Sequence, residues 1–127
     1  MAPPSSLLVD FLEELAFTPE LLALVVLPNN RDADIFSWYC KGLDIPSALR
    51  PSGAAGRRRR WMSFPYLKGR SGSVIDIVTS FEVNQVRGTF YDIAWMADVD
   101  LWPDSGSARE MSQVVARVSQ HYFSTHS

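Results

Sequence analysis

The chain has one cysteine, Cys40, and only two histidines, His121 and His126, both near its end. A single thiol cannot close an intrachain disulfide, so the fold must hold without such a staple. That suits a reducing compartment. No histidine neighbours Cys40 in sequence and no G-x-S-x-G elbow occurs, so a cysteine or serine nucleophile has no support. Walker A and dinucleotide-binding fingerprints are absent as well. So is any long hydrophobic run. The longest, residues 21–27, falls far short of the ~20 residues that a membrane-spanning helix needs. The N-terminus has no basic leader, and Asp10, Glu13 and Glu14 interrupt its apolar positions, so no signal peptide is expected. The expected location is intracellular: cytoplasmic, or nuclear in a eukaryotic host.

What is present fits one domain. The 127 residues are 46% hydrophobic and 20% charged, which places them with globular rather than disordered chains. This length can bury a useful core. We expect residues 1–127 to form a single α+β domain with an internal basic loop at about 44–60.

The net charge of −2 conceals a segregation. Residues 1–56 and 71–127 each carry a net −4, whereas residues 57–70 carry six bases and no acid. Such an island inside an acidic chain is the sequence's most distinctive feature.

Hydrophobic periodicity supplies the expected elements. Leu7, Leu8, Phe11, Leu12 and Leu15 form one helical face, with Ser5 or Ser6 as a cap. Thr18-Pro19 opens a second helix, with proline at the first helical position, and the apolar run 21–27 lies within it. A third helix spans about residues 32–41 and stops at Gly42. Pro46, Pro51, Gly53 and Gly56 punctuate a linker. Residues 61–67 look extended, and Pro65 points to an edge strand. Residues 74–83 alternate as a strand, residues 84–88 form a hairpin turn, and residues 91–102 form a long strand with a break near Ala97. Ser107-Ala108-Arg109-Glu110 reads as a capping box. Met111, Val114, Val115, Val118 and Tyr122 then recur at helical spacing. The expected architecture is therefore about three N-terminal helices, a small antiparallel sheet of three or four strands, and a C-terminal amphipathic helix packed on the sheet.

Candidate functional residues follow from the charge island. Arg57, Arg58, Arg59, Arg60, Lys68 and Arg70 alternate with Trp61, Phe64 and Tyr66. Arginine grips phosphate with a bidentate fork, and aromatic rings offer stacking platforms for unpaired bases. The same cations would suit an anionic membrane surface, at about 1 kcal/mol per basic residue. They would equally serve as a solvated loop. A four-arginine run also matches a nuclear import signal, weakly.

Other constellations are less specific. Asp98-x-Asp100 places two carboxylates on one side of a strand, with Asp92 and, on the same sheet face, Asp76 and Glu82. Clustered carboxylates can hold Mg²⁺, yet a solvent-facing strand shows the same alternation. An acidic face could also meet the basic loop of a second copy. His121 and His126 suit a helix C-terminus. Gly69-Arg70-Ser71-Gly72 has the G-x-x-G spacing of a nucleic-acid clamp, but the expected strand after it is the wrong context. Cys40 reads as a small buried hydrophobe. Exposed members of Trp38, Trp61, Trp95 and Trp102 would favour a protein interface.

The expectation from sequence is a non-enzymatic protein that binds nucleic acid, RNA rather than DNA, without catalytic residues, bound metal or cofactor. The alternative is a protein–protein adaptor, inhibitor or self-assembling homo-oligomer that uses the basic segment and exposed tryptophans, with or without peripheral contact to an anionic membrane. A metal-dependent enzyme using Asp98 and Asp100 is the third reading.

Overall fold

A computed structural model describes residues 11, 15, 21–41, 50–51, 61–63, 73–103 and 106–126. Its centre is a strand where a helix was expected. Leu22–Leu27 forms β1, and all but Leu22 are buried. A strand covered on both faces reads as a continuous apolar run, which periodicity alone cannot separate from a buried helix. The two adjacent β-branched residues Val25 and Val26 favour the extended form.

Asn30–Lys41 forms α1. Arg50–Pro51 and Trp61–Ser63 form two short strands, β2 and β3. Val74–Thr79 is β4, Val83–Val86 is the single turn α2, and Tyr91–Met96 is β5. A 3-10 turn at Val99–Leu101 leads toward α3, Gly106–Val118, and Ser119–Ser124 is β6.

These strands make one sheet in the order β2-β3-β4-β1-β5-β6. The four strands β4, β1, β5 and β6 are all parallel. Only β3 runs the other way: it pairs antiparallel with β4 on one side and with β2, at the edge, on the other. This corrects the expected α+β architecture: the molecule is α/β, with a parallel sheet and helices on both faces. The run of three N-terminal helices is also corrected. Phe11 and Leu15 are helical and α1 stands where a helix was read, but the apolar run between them is β1.

The expected hairpin at 84–88 is a crossover. β4 and β5 do not pair with each other; they flank β1 on either side, with Val25 level with both Ile77 and Trp95. The strand expected over 91–102 breaks near Ala97, as read from sequence: β5 stops at Met96, Asp98 takes a left-handed backbone conformation (φ 51°), and a 3-10 turn rather than a second strand segment follows. Gly106 is already helical, so Ser107 lies inside the first turn of α3 and does not cap it. The helix expected to reach Tyr122 ends at Val118. Ser119 turns the chain by donating its hydroxyl to the Val115 carbonyl at 2.6 Å.

Alternation along β1 distributes the core. Ala23, Val25 and Leu27 face a cluster with Ile75, Ile77, Trp95, Ala33 and Phe36 of α1, and with Phe11 and Leu15. Leu24 and Val26 face the other layer, with Val78, Ala94, Met96, Val83 and Val86 of α2, and Met111, Val114 and Val115 of α3. Trp95 anchors the first layer. Phe123 stacks on it at 6.3 Å, and Phe11 and Phe36 meet it edge-on at 6.1 and 5.9 Å. Such arrangements suit the ring quadrupole.

No helix among the described residues is long and apolar enough to cross a membrane.

Candidate functional site

Where the strand order of a parallel sheet reverses, the loops diverge to opposite faces and leave a crevice at the carboxyl ends of the strands. Here that point lies between β1, whose chain leads to α1 on one face, and β5, whose chain leads to α3 on the other. The crevice is therefore bounded by the turn 28–30 and by residues 97–102.

The β1 side is tightly built. Only Pro28 and Asn29 separate β1 from α1. Asn29 caps the helix: its Oδ1 accepts the Asp32 N–H at 2.9 Å and its carbonyl accepts the Ala33 N–H at 3.1 Å. Asp32 is 8% exposed and sits in the first helical turn, where the helix dipole favours a negative charge. Ser80, just beyond β4, donates its hydroxyl to the Pro28 carbonyl at 2.9 Å and fixes the turn from the other side.

The β5 side carries two more carboxylates. The Ala97 N–H still bonds to the Val26 carbonyl at 2.8 Å, so Asp98 leaves the sheet directly beside the end of β1. Its carboxyl is pushed above the ordinary range by burial first, then by the negative charges of Asp32 and Asp100. Asp100 is exposed, with His126 Nδ1 3.8 Å from its carboxylate. The Trp102 indole donates to the Ala97 carbonyl at 2.9 Å and pins the loop. The Trp95 indole reaches Thr125 Oγ1 at 2.9 Å, and the Thr125 N–H bonds to the Met96 carbonyl at 3.0 Å, which brings the end of β6 alongside.

An anion has little reason to enter. A helix N-terminus at this position commonly receives a phosphate. In this chain one of the N–H groups that a helix leaves open, that of Asp32, is taken by the Asn29 side chain, and Asp32 itself sits in the first turn, at the positive end of the dipole. Three carboxylates also give the crevice the wrong sign.

Of the sheet carboxylates read from sequence, Asp76 and Asp92 do alternate onto one face, since Asp76 and Ala94 both stand level with Leu24, but they do not form a cluster with the others. Asp76 is buried within β4, where its Oδ2 accepts the Tyr91 hydroxyl at 2.7 Å. Asp92 Oδ2 accepts the Leu22 N–H at 2.8 Å at the opposite end of the sheet. Glu82 Oε1 accepts the Thr79 N–H at 2.9 Å and closes the turn after β4. Asp98 and Asp100 lie beyond β5, not on it. Among the described residues no three His, Cys, Asp or Glu side chains are grouped to hold a metal ion. Asp32, which completes the acidic crevice, was missed in sequence because its place at the helix start emerges only once β1 is known to end at Leu27.

Of the nine basic and aromatic candidates, Arg57, Arg58, Arg59, Arg60, Phe64, Tyr66, Lys68 and Arg70 lie outside the described residues. Trp61 is described through its backbone, which pairs with Asp76. The G-x-x-G at 69–72, Gly42 and Gly56 also lie outside them. Trp95 is buried and Trp102 half-buried, so neither offers an open anchor.

A cavity of about 260 Å³ opens at the other end of the sheet, lined by Phe11, Leu15, Leu21, Asp92, Ile93, Gln120 and His121. Its carboxylate is already engaged by Leu22.

No protein-family model matches the chain. No curated protein matches it. A solved structure of similar fold is the large terminase ATPase domain of Thermus phage P74-26. It superposes with a TM-score of 0.56 at 14% identity, over 94% of this chain and 53% of that one. The present chain thus spans about half the length of that neighbour. At this identity the likeness is one of fold alone.

Proposed function

We propose that this chain is a non-enzymatic nucleic-acid-binding protein, with RNA preferred over DNA, and that residues 57–70 make the contact. The observation that carries the reading is six bases without an acid in fourteen residues of an otherwise acidic chain. The fold adds one support. β3 lies inside this stretch and belongs to the edge hairpin, so the sheet holds part of the basic segment at its margin, away from the acidic crevice between β1 and β5.

The neighbour's name raises nucleotide hydrolysis as a competing idea. The two-residue turn between β1 and α1 is too short for a glycine-rich phosphate loop, and the sequence has no Walker A lysine to follow it. Fold likeness does not carry activity across such a difference. A protein-contact reading keeps one specific support: Phe81, Phe90 and Leu101 are 51%, 62% and 54% exposed, and large apolar side chains of this kind favour a protein partner.

The test is fluorescence anisotropy with short single-stranded RNA and DNA over a salt series. The intact chain is expected to bind with a log–log salt slope of roughly −4, the value for six phosphate contacts on a single strand. Changing Arg57, Arg58, Arg59 and Arg60 together to Ala should flatten that slope to about −1. Absence of binding at low salt would overturn the proposal. Binding to anionic vesicles in place of RNA would reassign the segment to a membrane surface.

A further inference from the structure

β6 closes one side of the sheet, and no described strand lies beyond it. An outermost strand presents backbone donors and acceptors on its free side, a template for another strand. Proteins usually blunt such an edge with lysine, proline, a bulge or an inward charge. Ser119-Gln120-His121-Tyr122-Phe123-Ser124 has no lysine, no proline and no carboxylate. Gln120, His121, Tyr122 and Ser124 are exposed, with Tyr122 at 52%. The strand is also held firmly from behind: all but Gln120 pair in register with β5, and Phe123 is locked against Trp95 and Phe11. A rigid, neutral, six-residue edge is a preformed docking surface.

We propose that its occupant is a second copy of this chain, with two β6 strands pairing antiparallel about a two-fold axis at Tyr122. The register follows from geometry. Residues directly opposite each other in an antiparallel ladder point to the same face, and side chains alternate with period two. A two-fold axis between two such strands must therefore pass through a residue position, not between residues. Centring on Tyr122 sets Tyr122 against Tyr122, His121 against Phe123, and Gln120 against Ser124. Every pair is aromatic with aromatic or polar with polar, the kinds that stabilise a sheet. Centring on His121 instead sets the two imidazoles against each other. It also needs Ser119, which is buried and tied to the end of α3. The Tyr122 register joins two six-stranded sheets into one of twelve. A short edge buries less than a standard interface, so the expected association is weak and concentration-dependent.

The test uses single cysteines in a Cys40→Ser background, oxidised at high protein concentration. Directly opposed residues bring their Cβ atoms to about 5 Å, close enough for a disulfide with slight adjustment. Tyr122→Cys should therefore give a covalent dimer. Gln120→Cys alone should not, since its two copies lie four positions apart, about 13 Å along the strands. Mixing Gln120→Cys with Ser124→Cys should restore crosslinking. All three positions are exposed, so the substitutions leave the core intact. Sedimentation equilibrium of the unmodified protein should show a monomer–dimer equilibrium that Tyr122→Lys abolishes, because it sets like charges opposite each other. Equal crosslinking of Tyr122→Cys and Gln120→Cys would overturn the register. A strictly monomeric protein at several hundred micromolar (about 0.5 mM) would overturn the dimer itself.

Discussion

Asp98 concentrates three costs in one side chain. Its backbone is left-handed, its carboxyl is part-buried, and two other carboxylates share its crevice. A left-handed residue other than glycine is most easily asparagine or aspartate, whose short side chains bond locally. An asparagine in its place would keep that conformation and remove the charge. Asp98→Asn is therefore expected to stabilise the protein at pH 7 by roughly 0.5 kcal/mol, the scale of partly exposed charge interactions. The sign of its pH dependence follows from linkage. A carboxyl raised in the folded state holds its proton to a higher pH than in the unfolded chain, whose value is near 3.8. Its contribution is most favourable below that value and is lost as pH rises through the folded pKa. The advantage of the Asp98→Asn variant should thus be full at neutral pH and vanish near pH 3 (approximately, by the same linkage). Thermal melts of both proteins across pH would check this. An advantage that grows toward acid would refute the assignment.

At the scale of elements, β1 matters most, and it was the element sequence read worst. Its six apolar residues lack alternation because both faces are covered, and that pattern also fits a buried helix. The residues of β4 and the first half of β5 were legible because polar side chains, Asp76 and Thr79 in one and Asp92 in the other, interleave with apolar ones there. Their partner was not: a five-residue turn suggests a hairpin, and only the insertion of β1 between the two strands forces a parallel crossover. β6 was hidden for another reason. Its polar residues carry no strand pattern, and Tyr122 falls at helical spacing after Val118. Its place comes from pairing with β5 and from Phe123 stacking on Trp95. The acidic pair after β5 was legible as residues, but not as a crevice, because Asp32 comes from a distant turn. The central role of β1 gives a measurable asymmetry. Leu24 is fully buried against Met111, Val115 and their neighbours, so Leu24→Ala should cost about 2–5 kcal/mol. Leu101 is 54% exposed, and Leu101→Ala should stay within about 0.5 kcal/mol of the parent. Urea denaturation of the two variants distinguishes them. Similar losses would mean that β1 is not the buried centre of the sheet.

At the scale of the molecule, the strand-order reversal is the place where fold and local chemistry pull in opposite directions. Doubly wound parallel sheets bind ligands at the strand-order reversal, and the terminase domain that shares this fold carries ATPase in its name. The carboxyl end of β1 here is built otherwise. Asn29 caps the start of α1 through the Asp32 N–H, Ser80 ties the short turn to β4, and Asp32, Asp98 and Asp100 add charge of the sign that repels phosphate. A nucleotide would have to displace an internal cap and bring its negative charge against three carboxylates. The expected outcome is that millimolar Mg·ATP leaves the melting temperature unchanged. A ligand at a hundred times its Kd would instead stabilise the fold by about 2.7 kcal/mol, which is readily seen in a melt. Asp32→Ala sharpens the measurement, because it removes the charge nearest the helix start and leaves β1 and the Asn29 cap in place. If the parent protein is stabilised by Mg·ATP, the crevice is a nucleotide site and the acidic cluster must be reorganised on binding. If only Asp32→Ala responds, the fold retains the site's geometry and a single carboxylate closes it. If neither responds, the short turn itself excludes the phosphates whatever the charge beside it.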